Sequence, residues 1–327
     1  MHRKVSLFIL LAIVLVLLMP VAAQDGPRIA VLLPLGNNEY VRNAALGVQS
    51  VVEAAGGSIA EYDAGFVLEE QINQIEDVIT SGDFDAIVLY TVDGVGITVG
   101  VDIAHEAGLP VIALDAAINP DRKTLVPYEN VAAQIARTGD GDGSQIGQAI
   151  VMACEGMDMC EVAFMIGFEG FPLDLDRFNA VEDVVNMHDH IEIVAMQAAS
   201  YTNEHGFEVA TDMLQANPGI DVIATVGDQM TLGAELAVED AGLTGQVALI
   251  GQGASIDGYN AVKEGRMFAT VANIPYTNGQ IAGQMALQAI AGELYVRSVN
   301  MYDQAPPFPP SGPIITADNY EGFEPQW

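Results

Sequence analysis

Polar and aromatic side chains follow the ends of several apolar runs that are typical of buried strands. Asn38 and Tyr40 come just after the run Arg28–Leu33. Tyr90 and Asp115 lie at the ends of two later runs. In an open parallel sheet the carboxyl ends of the strands meet at one edge, where ligands bind. Amides, carboxylates and aromatic rings at such an edge can hold a small polar molecule by hydrogen bonds and ring contacts.

Each of these residues also has a purely structural interpretation. A single tyrosine is about as commonly a core residue as a ligand residue, and Asp115 could cap the turn that follows its strand. The shared position at strand ends favours ligand contact for the tyrosines. For Asp115 the same interpretation is favoured because it closes a buried strand and has no Lys beside it.

The residue patterns of common catalytic sites are absent from the sequence. It contains no Gly-x-Ser-x-Gly, His-Glu-x-x-His or cysteine–histidine arrangement,. Gly251-Gln252-Gly253 follows an apolar run, but Ile256 stands where a dinucleotide-binding motif needs its last glycine,. We therefore expect no catalytic residues, no cofactor and no enzyme activity.

Two further patterns weakly resemble metal sites. The stretch 140–144, Asp-Gly-Asp-Gly-Ser, resembles the start of a calcium loop, but Val151 stands at the twelfth position, where such loops need Glu,. A hinge turn with a helix cap at Asp142 or Ser144 is the preferred interpretation. His188 and His190 flank an Asp before a strand, which is typical of a solvated turn, so no metal site is predicted.

Apolar strand-like runs alternate with amphipathic helical stretches along most of the chain. This alternation predicts an α/β fold with parallel, doubly wound sheets and right-handed crossovers. The rhythm breaks over the polar, glycine-rich passage Asn119–Gly143, which we interpret as the first crossing between two lobes. A second series then begins with a helix from Ser144 to Ala153, and the helix Gly279–Ala291 is expected to pack between the lobes or against the first.

The start of the chain and its charge indicate export. Residues 1–23 combine a basic start, an apolar stretch from Leu7 to Met19 and small residues before Gln24, which predicts a secretory signal peptide,. A retained membrane anchor is the alternative. The net charge of −33 argues against nucleic acid or an anionic membrane as partner,. Cys154 and Cys160, the two cysteines of the sequence, would form a disulfide after export or else remain two buried thiols,.

Several short segments occur in the order and spacing of one known family. They are Asn37-Asn38-Glu39-Tyr40 with Gly47; Asp85-Ala86-Ile87-Val88 with Val92-Asp93; Gly108-Leu109-Pro110-Val111-Ile112 with Asp115; Gly227-Asp228-Gln229-Met230 with Leu232-Gly233-Ala234; Ile250-Gly251 with Asp257-Gly258; and Gly265-Arg266 with Ala269-Thr270-Val271. Together they cover nearly all of 28–292. The chain thereby resembles the type I periplasmic sugar-binding proteins of bacterial ABC importers, close to ribose-binding proteins.

The resemblance implies a fold of two doubly wound, Rossmann-like lobes, the periplasmic binding protein type I fold. A three-strand hinge would join the lobes and close them over one ligand. We expect the N-terminal lobe at 24–138 plus 274–303, and the C-terminal lobe at 139–273 plus 304–327.

Carried over residue by residue, the resemblance also implies a ligand site. Asn38 and Asp115 match hydrogen-bonding positions of the family. Tyr40 and Tyr201 stand at positions of aromatic rings that pack on the sugar. Arg177 lies near the Arg of the second lobe. All five are therefore candidate ligand-binding residues.

Other positions of the implied site depart from the family pattern. Ala116 stands where an Arg usually follows the Asp, so the expected clamp on adjacent hydroxyls is missing. Tyr90 stands in place of an amide and Asn273 in place of a Gln. Gly227 and Gly253 replace an Asn and an Asp that ordinarily bind hydroxyls, leaving room for a larger ligand or for water. We keep all but Ala116 as candidate ligand-binding positions.

The function that the resemblance implies is capture and delivery of a small molecule. An exported, monomeric protein would bind a sugar or sugar-like polyol between its lobes and pass it to an ABC permease, in the periplasm or outside the cell. One alternative is a sensor protein that presents its ligand to a chemoreceptor or kinase. A less favoured alternative is an extracellular Rossmann-like enzyme.

Overall fold

The alternation of strands and helices extends over almost the whole chain. The structure, a computed structural model, describes residues 26–303, 308–309 and 312–327. The predicted signal peptide at 1–23 lies outside the described residues. Within them, no helix is both long enough and apolar enough to cross a membrane.

The chain forms the following regular elements. The strands are β1 Arg28–Leu33, β2 Ser58–Asp63, β3 Ala86–Leu89, β4 Val111–Ala116, β5 Ala133–Arg137, β6 Cys160–Ile166, β7 Ile191–Ala198, β8 Ile220–Thr225, β9 Ala248–Gly253, β10 Ala269–Ala272, β11 Ser298–Asn300 and β12 Ile314–Thr316. The helices are α1 Glu39–Ala54, α2 Leu68–Ser81, α3 Thr98–Glu106, α4 Gly139–Ala153, α5 Pro172–Val185, α6 Asn203–Ala216, α7 Asp228–Asp240, α8 Ile256–Lys263 and α9 Pro275–Ala291. A short 3₁₀ helix, Met301–Asp303, follows β11.

The strands form two six-stranded sheets, one in each lobe. The strand order is β11-β5-β4-β3-β1-β2 in the first sheet and β12-β10-β9-β8-β6-β7 in the second. In each sheet the strand that comes first in the sequence lies between two later strands: β1 between β3 and β2, and β6 between β8 and β7. This is the arrangement of a doubly wound sheet. The predicted fold of two doubly wound α/β lobes is confirmed.

One edge strand departs from the predicted parallel arrangement. The short β12 runs antiparallel to β10, with Val271 opposite Ile314 and Ala269 opposite Thr316. Strand β12 therefore begins beside the carboxyl end of β10 and runs back along that strand.

Among the described strands, consecutive ones change sheet after β5, after β10 and after β11. The prediction that the whole passage Asn119–Gly143 is the first crossing is wrong, because it contains β5, which pairs with β4 in the first sheet. Polar residues conceal this strand in the sequence, and both Gln134 and Arg137 are buried. Gln134 donates its side-chain amide to the Leu125 carbonyl, 2.7 Å away.

The first crossing is short because α4 begins directly after β5. The N-cap of α4 is Thr138, whose Oγ1 accepts a hydrogen bond from the Gly141 amide at 3.2 Å. The predicted helix cap at Asp142 or Ser144 is therefore wrong. The glycines here permit close helix packing. A Cβ at Gly143 would lie 2.1 Å from the Arg177 carbonyl oxygen, on α5.

Cys154 and Cys160 form a disulfide between the end of α4 and the start of β6. This pairing is the first of the two alternatives considered from the sequence.

Helices α1 and α9 pack against each other in the first lobe, which is the second of the two places expected for the helix Gly279–Ala291. Their contact depends on glycines, because a Cβ at Gly279 would lie 1.9 Å from the Ala44 carbonyl oxygen. A Cβ at Gly47 would lie 2.1 Å from the Tyr276 carbonyl oxygen. Backbone atoms cannot move aside as a flexible side chain can, so the two helices lie this close only with glycine at both positions.

Replacement of Gly279 by Ala should destabilise the protein. The added methyl group must push α1 and α9 apart, and such overpacking lowers the free energy of unfolding by about 1–3 kcal/mol, or more where backbone is the obstacle. Urea denaturation of Gly279→Ala measures the loss. Gly141→Ala is the matched control, because its Cβ would have only Thr138 Oγ1 near it, at 3.4 Å. Equal stability of the two variants would contradict the packing argument.

Candidate functional site

The carboxyl ends of strands from both sheets face a cleft between the lobes. The sequence analysis nominated nine ligand-binding residues, and eight of them line this cleft. They are Asn38, Tyr40, Tyr90, Arg177, Tyr201, Gly227, Gly253 and Asn273. Residues as distant in the chain as 38 and 273 are brought together, because each follows a strand that points at the cleft.

Asp115, the ninth residue, lies directly behind the wall of the cleft and is 1% exposed. One carboxylate oxygen accepts a hydrogen bond from the Tyr40 hydroxyl at 2.7 Å, and the other accepts one from Arg137 Nη2 at 3.0 Å. Its φ of +75° is in the left-handed region that non-glycine residues rarely adopt,. Both oxygens thus bind protein donors, and Asp115 positions two side chains that do line the cleft.

Arg137 is a cleft residue that the sequence analysis missed. It ends β5, and its Cα lies opposite that of Ala116 on β4. Ala116 is the position where the resemblance led us to expect an Arg. Arg137 thus places a guanidinium beside that position, on the neighbouring strand. The missing signal was β5 itself, whose Ala-Gln-Ile-Ala-Arg sequence lies in the passage interpreted as a crossing.

Asp142 lies between two guanidinium groups. Its Oδ2 is 3.2 Å from Arg137 Nε in the first lobe and 2.8 Å from both Nε and Nη2 of Arg177 in the second. The Tyr302 hydroxyl donates a hydrogen bond to its other oxygen. Asp142 is fully buried, and the side chains of both arginines are at most 5% exposed. A buried ion pair therefore joins the lobes at their first crossing.

The chain of polar contacts continues from Arg177 to the far wall of the cleft. Arg177 Nη1 donates to Asp174 at 2.8 Å and to the Tyr201 hydroxyl at 2.9 Å. The Tyr201 hydroxyl in turn donates to Asp174 at 2.5 Å. Asp174 also accepts hydrogen bonds from the backbone amides of Gly167 and Phe168. Asp174 thereby fixes the hydroxyl end of the Tyr201 ring, as Asp115 fixes that of Tyr40.

Two opposing effects determine the pKa of the Asp142 carboxyl. Burial raises it, because a charge is poorly solvated inside the protein,. The positive charges of Arg137 and Arg177 and the hydrogen bond from Tyr302 oppose this effect, and the net pKa is below its usual value. Burial, together with the nearby Asp115 and Asp174, raises the pKa of the Tyr40 and Tyr201 hydroxyls well above their usual value. These tyrosines remain neutral hydrogen-bond donors at physiological pH.

Aromatic rings from both lobes complete the walls of the cleft. Phe66 of the first lobe contacts Phe168 and Phe171 of the second, with ring centroids 4.5 and 5.0 Å apart. These three rings and Trp327 line the cleft and were not among the predicted site residues. No local pattern marks them, because they follow different elements and meet only across the two lobes.

The two glycines of the predicted site are explained by neighbouring side chains. A Cβ at Gly253 would lie 2.2 Å from Cζ2 of Trp327, so the absent side chain makes room for that indole. A Cβ at Gly227 would lie 3.1 Å from the ring of Tyr201. Neither expectation, a larger ligand or water, describes the space at Gly253, which the chain itself fills.

Several buried polar atoms at the cleft have no hydrogen-bond partner within the described part of the chain. They include Arg137 Nη1, Gln252 Oε1 and Asn273 Oδ1. Their residues are 2–4% exposed and all three line the cleft. Because an unpaired buried polar group costs about 1–3 kcal/mol, such atoms mark where a ligand's own polar groups can bind.

The stretch 140–144 uses its carboxylates for ion pairs. Asp140 pairs with Lys123 at 3.2 Å, and Asp142 with the two arginines. Across the described ranges, no group of three or more His, Cys, Asp or Glu side chains could hold a metal ion.

Two doubly wound lobes that enclose one buried, hydrogen-bonding cleft at their strand ends define a two-lobed protein that binds a small solute. The chain belongs to the periplasmic binding protein family, since the profile described as "Periplasmic binding protein domain" matches residues 29–294. The family predicted from the short segments is confirmed.

Individual relatives agree with this assignment over most of their length. The chain is 24% identical to the ribose import binding protein of Bacillus subtilis over 265 residues, 81% of this chain and 82% of the relative. It is 25% identical to the D-allose-binding periplasmic protein of Escherichia coli over 275 residues, 84% and 88% of the two chains.

Solved structures show the same fold. A solute-binding protein of an ABC transporter from Bacillus halodurans, with bound myo-inositol, superposes with a TM-score of 0.80 and 21% identity, covering 93% of this chain and 100% of that one. One from Actinobacillus succinogenes, with bound D-allose, gives a TM-score of 0.78 and 24% identity, covering 91% and 100%.

Replacement of Asp142 by Asn should destabilise the protein strongly at neutral pH. The change leaves Arg137 and Arg177 buried with too little negative charge, which costs about 3–5 kcal/mol. Because the pKa of Asp142 is lowered on folding, its contribution is complete above the usual value of 3.8 and is lost as the pH falls through the lower folded value,. The gap between the wild type and the variant should therefore narrow only in strong acid.

Urea denaturation at neutral and acid pH measures this gap. Asp140→Asn is the matched control, two residues away on the same helix. It removes only the pairing with Lys123, whose side chain is 72% exposed, so little change is expected. If both variants lost a similarly small free energy of unfolding, the buried ion pairs of Asp142 would not stabilise the crossing between the lobes.

Proposed function

We propose that this protein is an exported solute-binding protein that captures a sugar or sugar-like polyol in the interlobe cleft for an ABC importer. The observation that supports this most is the set of unpaired polar atoms on Arg137, Gln252 and Asn273, at a cleft with aromatic walls. The names of the relatives agree with it, since one is a ribose import binding protein and another binds D-allose.

The unpaired atoms match the chemistry of hydroxyl groups. A hydroxyl both donates and accepts, so it can donate to Gln252 Oε1 or Asn273 Oδ1 and accept from Arg137 Nη1. An analogue without the hydroxyl leaves these groups unpaired and binds more weakly. The aromatic rings supply apolar surface for the C–H groups of the same ligand.

Closure of the lobes would be completed by contacts outside the polar site. Arg122 of the first lobe donates two hydrogen bonds to Asp176 of the second, at 2.7 and 2.9 Å. The ring contacts of Phe66 with the second lobe also cross the cleft. Opening must break both sets of contacts. A ligand bound between the lobes adds its own contacts to the closed form and shifts the equilibrium towards it, and a permease would recognise that form.

Binding, and not catalysis, is the proposed activity. The polar groups around the cleft either bind one another or are free to bind a ligand. The hydroxyls of Tyr40 and Tyr201 stay protonated, because their pKa values are raised. We further propose that the protein acts as a monomer in the periplasm or outside the cell and docks on a membrane permease.

A ligand screen tests the proposal directly. Pentoses, hexoses, cyclitols and polyols are added to the purified protein, and the melting temperature is recorded. We expect at least one of them to stabilise the protein at one-to-one stoichiometry, since a ligand that binds only the folded state raises its stability. X-ray scattering should then show a smaller radius of gyration. Conversion of a bound sugar to a product would contradict the proposal.

Asn273→Ala should weaken binding of the ligand found in that screen. The variant loses one hydrogen bond, which corresponds to about 1–3 kcal/mol, and it leaves the buried charges intact. Calorimetry measures the affinity. Asn43→Ala, on α1 and outside the lining of the cleft, removes a half-buried side chain that bonds the Glu39 carbonyl, and this variant should bind as the wild type does. Equal affinities of the two variants would remove Asn273 from the ligand site.

A further inference from the structure

The final described segment, Phe323–Trp327, passes from the second lobe to the first. Phe323 is part of the apolar core of the second lobe, whereas Trp327 packs with the core residues of the first. The side chain of Gln326 accepts a hydrogen bond from the Thr277 amide at 3.0 Å and donates one to the Thr277 hydroxyl at 2.7 Å. Thr277 lies in the first turn of α9, so the 323–327 segment contacts both lobes.

Trp327 ends this segment at the ligand cleft. Its indole Nε1 donates to the Gly253 carbonyl at 3.0 Å, and its own carbonyl accepts from the Ile256 amide at 2.6 Å. Its ring meets that of Tyr40 edge to face, with centroids 5.3 Å apart. Trp327 therefore lies between Tyr40 of the first lobe and the end of β9 in the second, and it lines the cleft.

The sequence around the indole is adapted to its presence. Gly253 has a φ of +129°, which L side chains rarely adopt, and its missing Cβ would lie 2.2 Å from Cζ2 of the indole. Gln252, the residue just before it, lines the same cleft and carries an unpaired amide oxygen. The indole therefore lines the cleft together with a residue that can bind a ligand's polar groups.

We propose that Trp327 is a ligand-contacting residue and that its ring selects cyclic sugars or cyclitols over open-chain polyols. The proposal rests on the proposed function. The only polar atom of the indole already bonds Gly253, so the ring offers a ligand only apolar surface,. A ring-shaped sugar presents a flat face of C–H groups to such a surface, whereas a flexible open-chain polyol must first be ordered to do so.

The chain provides its own reporter for this contact, because Trp327 is its single tryptophan. Aldoses and the alditols made from them by reduction are titrated into the wild type while the indole emission is recorded. We expect the emission to change with the midpoint that calorimetry gives for the same sugar. We also expect the aldose of a pair to bind more tightly than the alditol.

Variants at position 327 test the contact by a second route. Trp327→Ala should weaken binding of the aldose by about tenfold, as expected for the loss of a ring contact. The alditol should be affected less. Trp327→Phe, which retains a ring but not the Nε1–H, should lie between Ala and the wild type. Circular dichroism establishes that each variant is folded.

The outcomes separate this inference from the proposed function. A sugar that binds by calorimetry without any change in indole emission, and with equal affinity for wild type and Trp327→Ala, overturns the role of Trp327 and leaves the proposed function standing. Equal losses for aldose and alditol overturn the selection of rings. If no sugar or polyol of the panel binds at all, the proposed function fails, and this inference fails with it.

Discussion

The buried contact of Asp142 with Arg137 and Arg177 is the interaction on which the rest of the site depends. Arg137 ends the last strand before the first crossing, Asp142 lies in the first turn of the helix after it, and Arg177 lies on the neighbouring α5. None of these side chains is more than 5% exposed. Burying ions is expensive unless each has a partner with good geometry, so the two halves of the crossing require each other.

The same arginines also help to fix the aromatic side chains in the walls of the cleft. At one end Arg137 and Tyr40 share the carboxylate of Asp115. At the other end Arg177 and Tyr201 share the carboxylate of Asp174. One ring on each side of the cleft is therefore fixed by the network that spans the crossing. A site whose rings and donors are held in advance loses less entropy when it binds a ligand.

The sequence predicted what depends on local patterns. Apolar runs alternating with amphipathic helices gave the two lobes, and residues that follow strands, such as Asn38 and Tyr90, lie at the cleft as expected. Predictions went wrong where polar residues are buried. Strand β5 was missed because Gln134 and Arg137 find their partners only in the folded chain. The start of α4 was missed because Gly139 and Gly143 serve close packing against α5 and do not form a turn.

Residues absent from family positions are replaced from elsewhere in this chain. Ala116 lacks the expected guanidinium, and Arg137 provides one from the position opposite it in the sheet. Gly253 lacks the expected carboxylate, and the indole of Trp327 fills the space that any side chain would need. In both pairs a small residue lies beside a large residue from another part of the chain. The role of the small residue is therefore understood only together with that of the large one. The first exchange keeps a donor at the cleft, whereas the second replaces a polar group with an apolar ring. The cleft therefore has a guanidinium donor on one side and an apolar ring on the other.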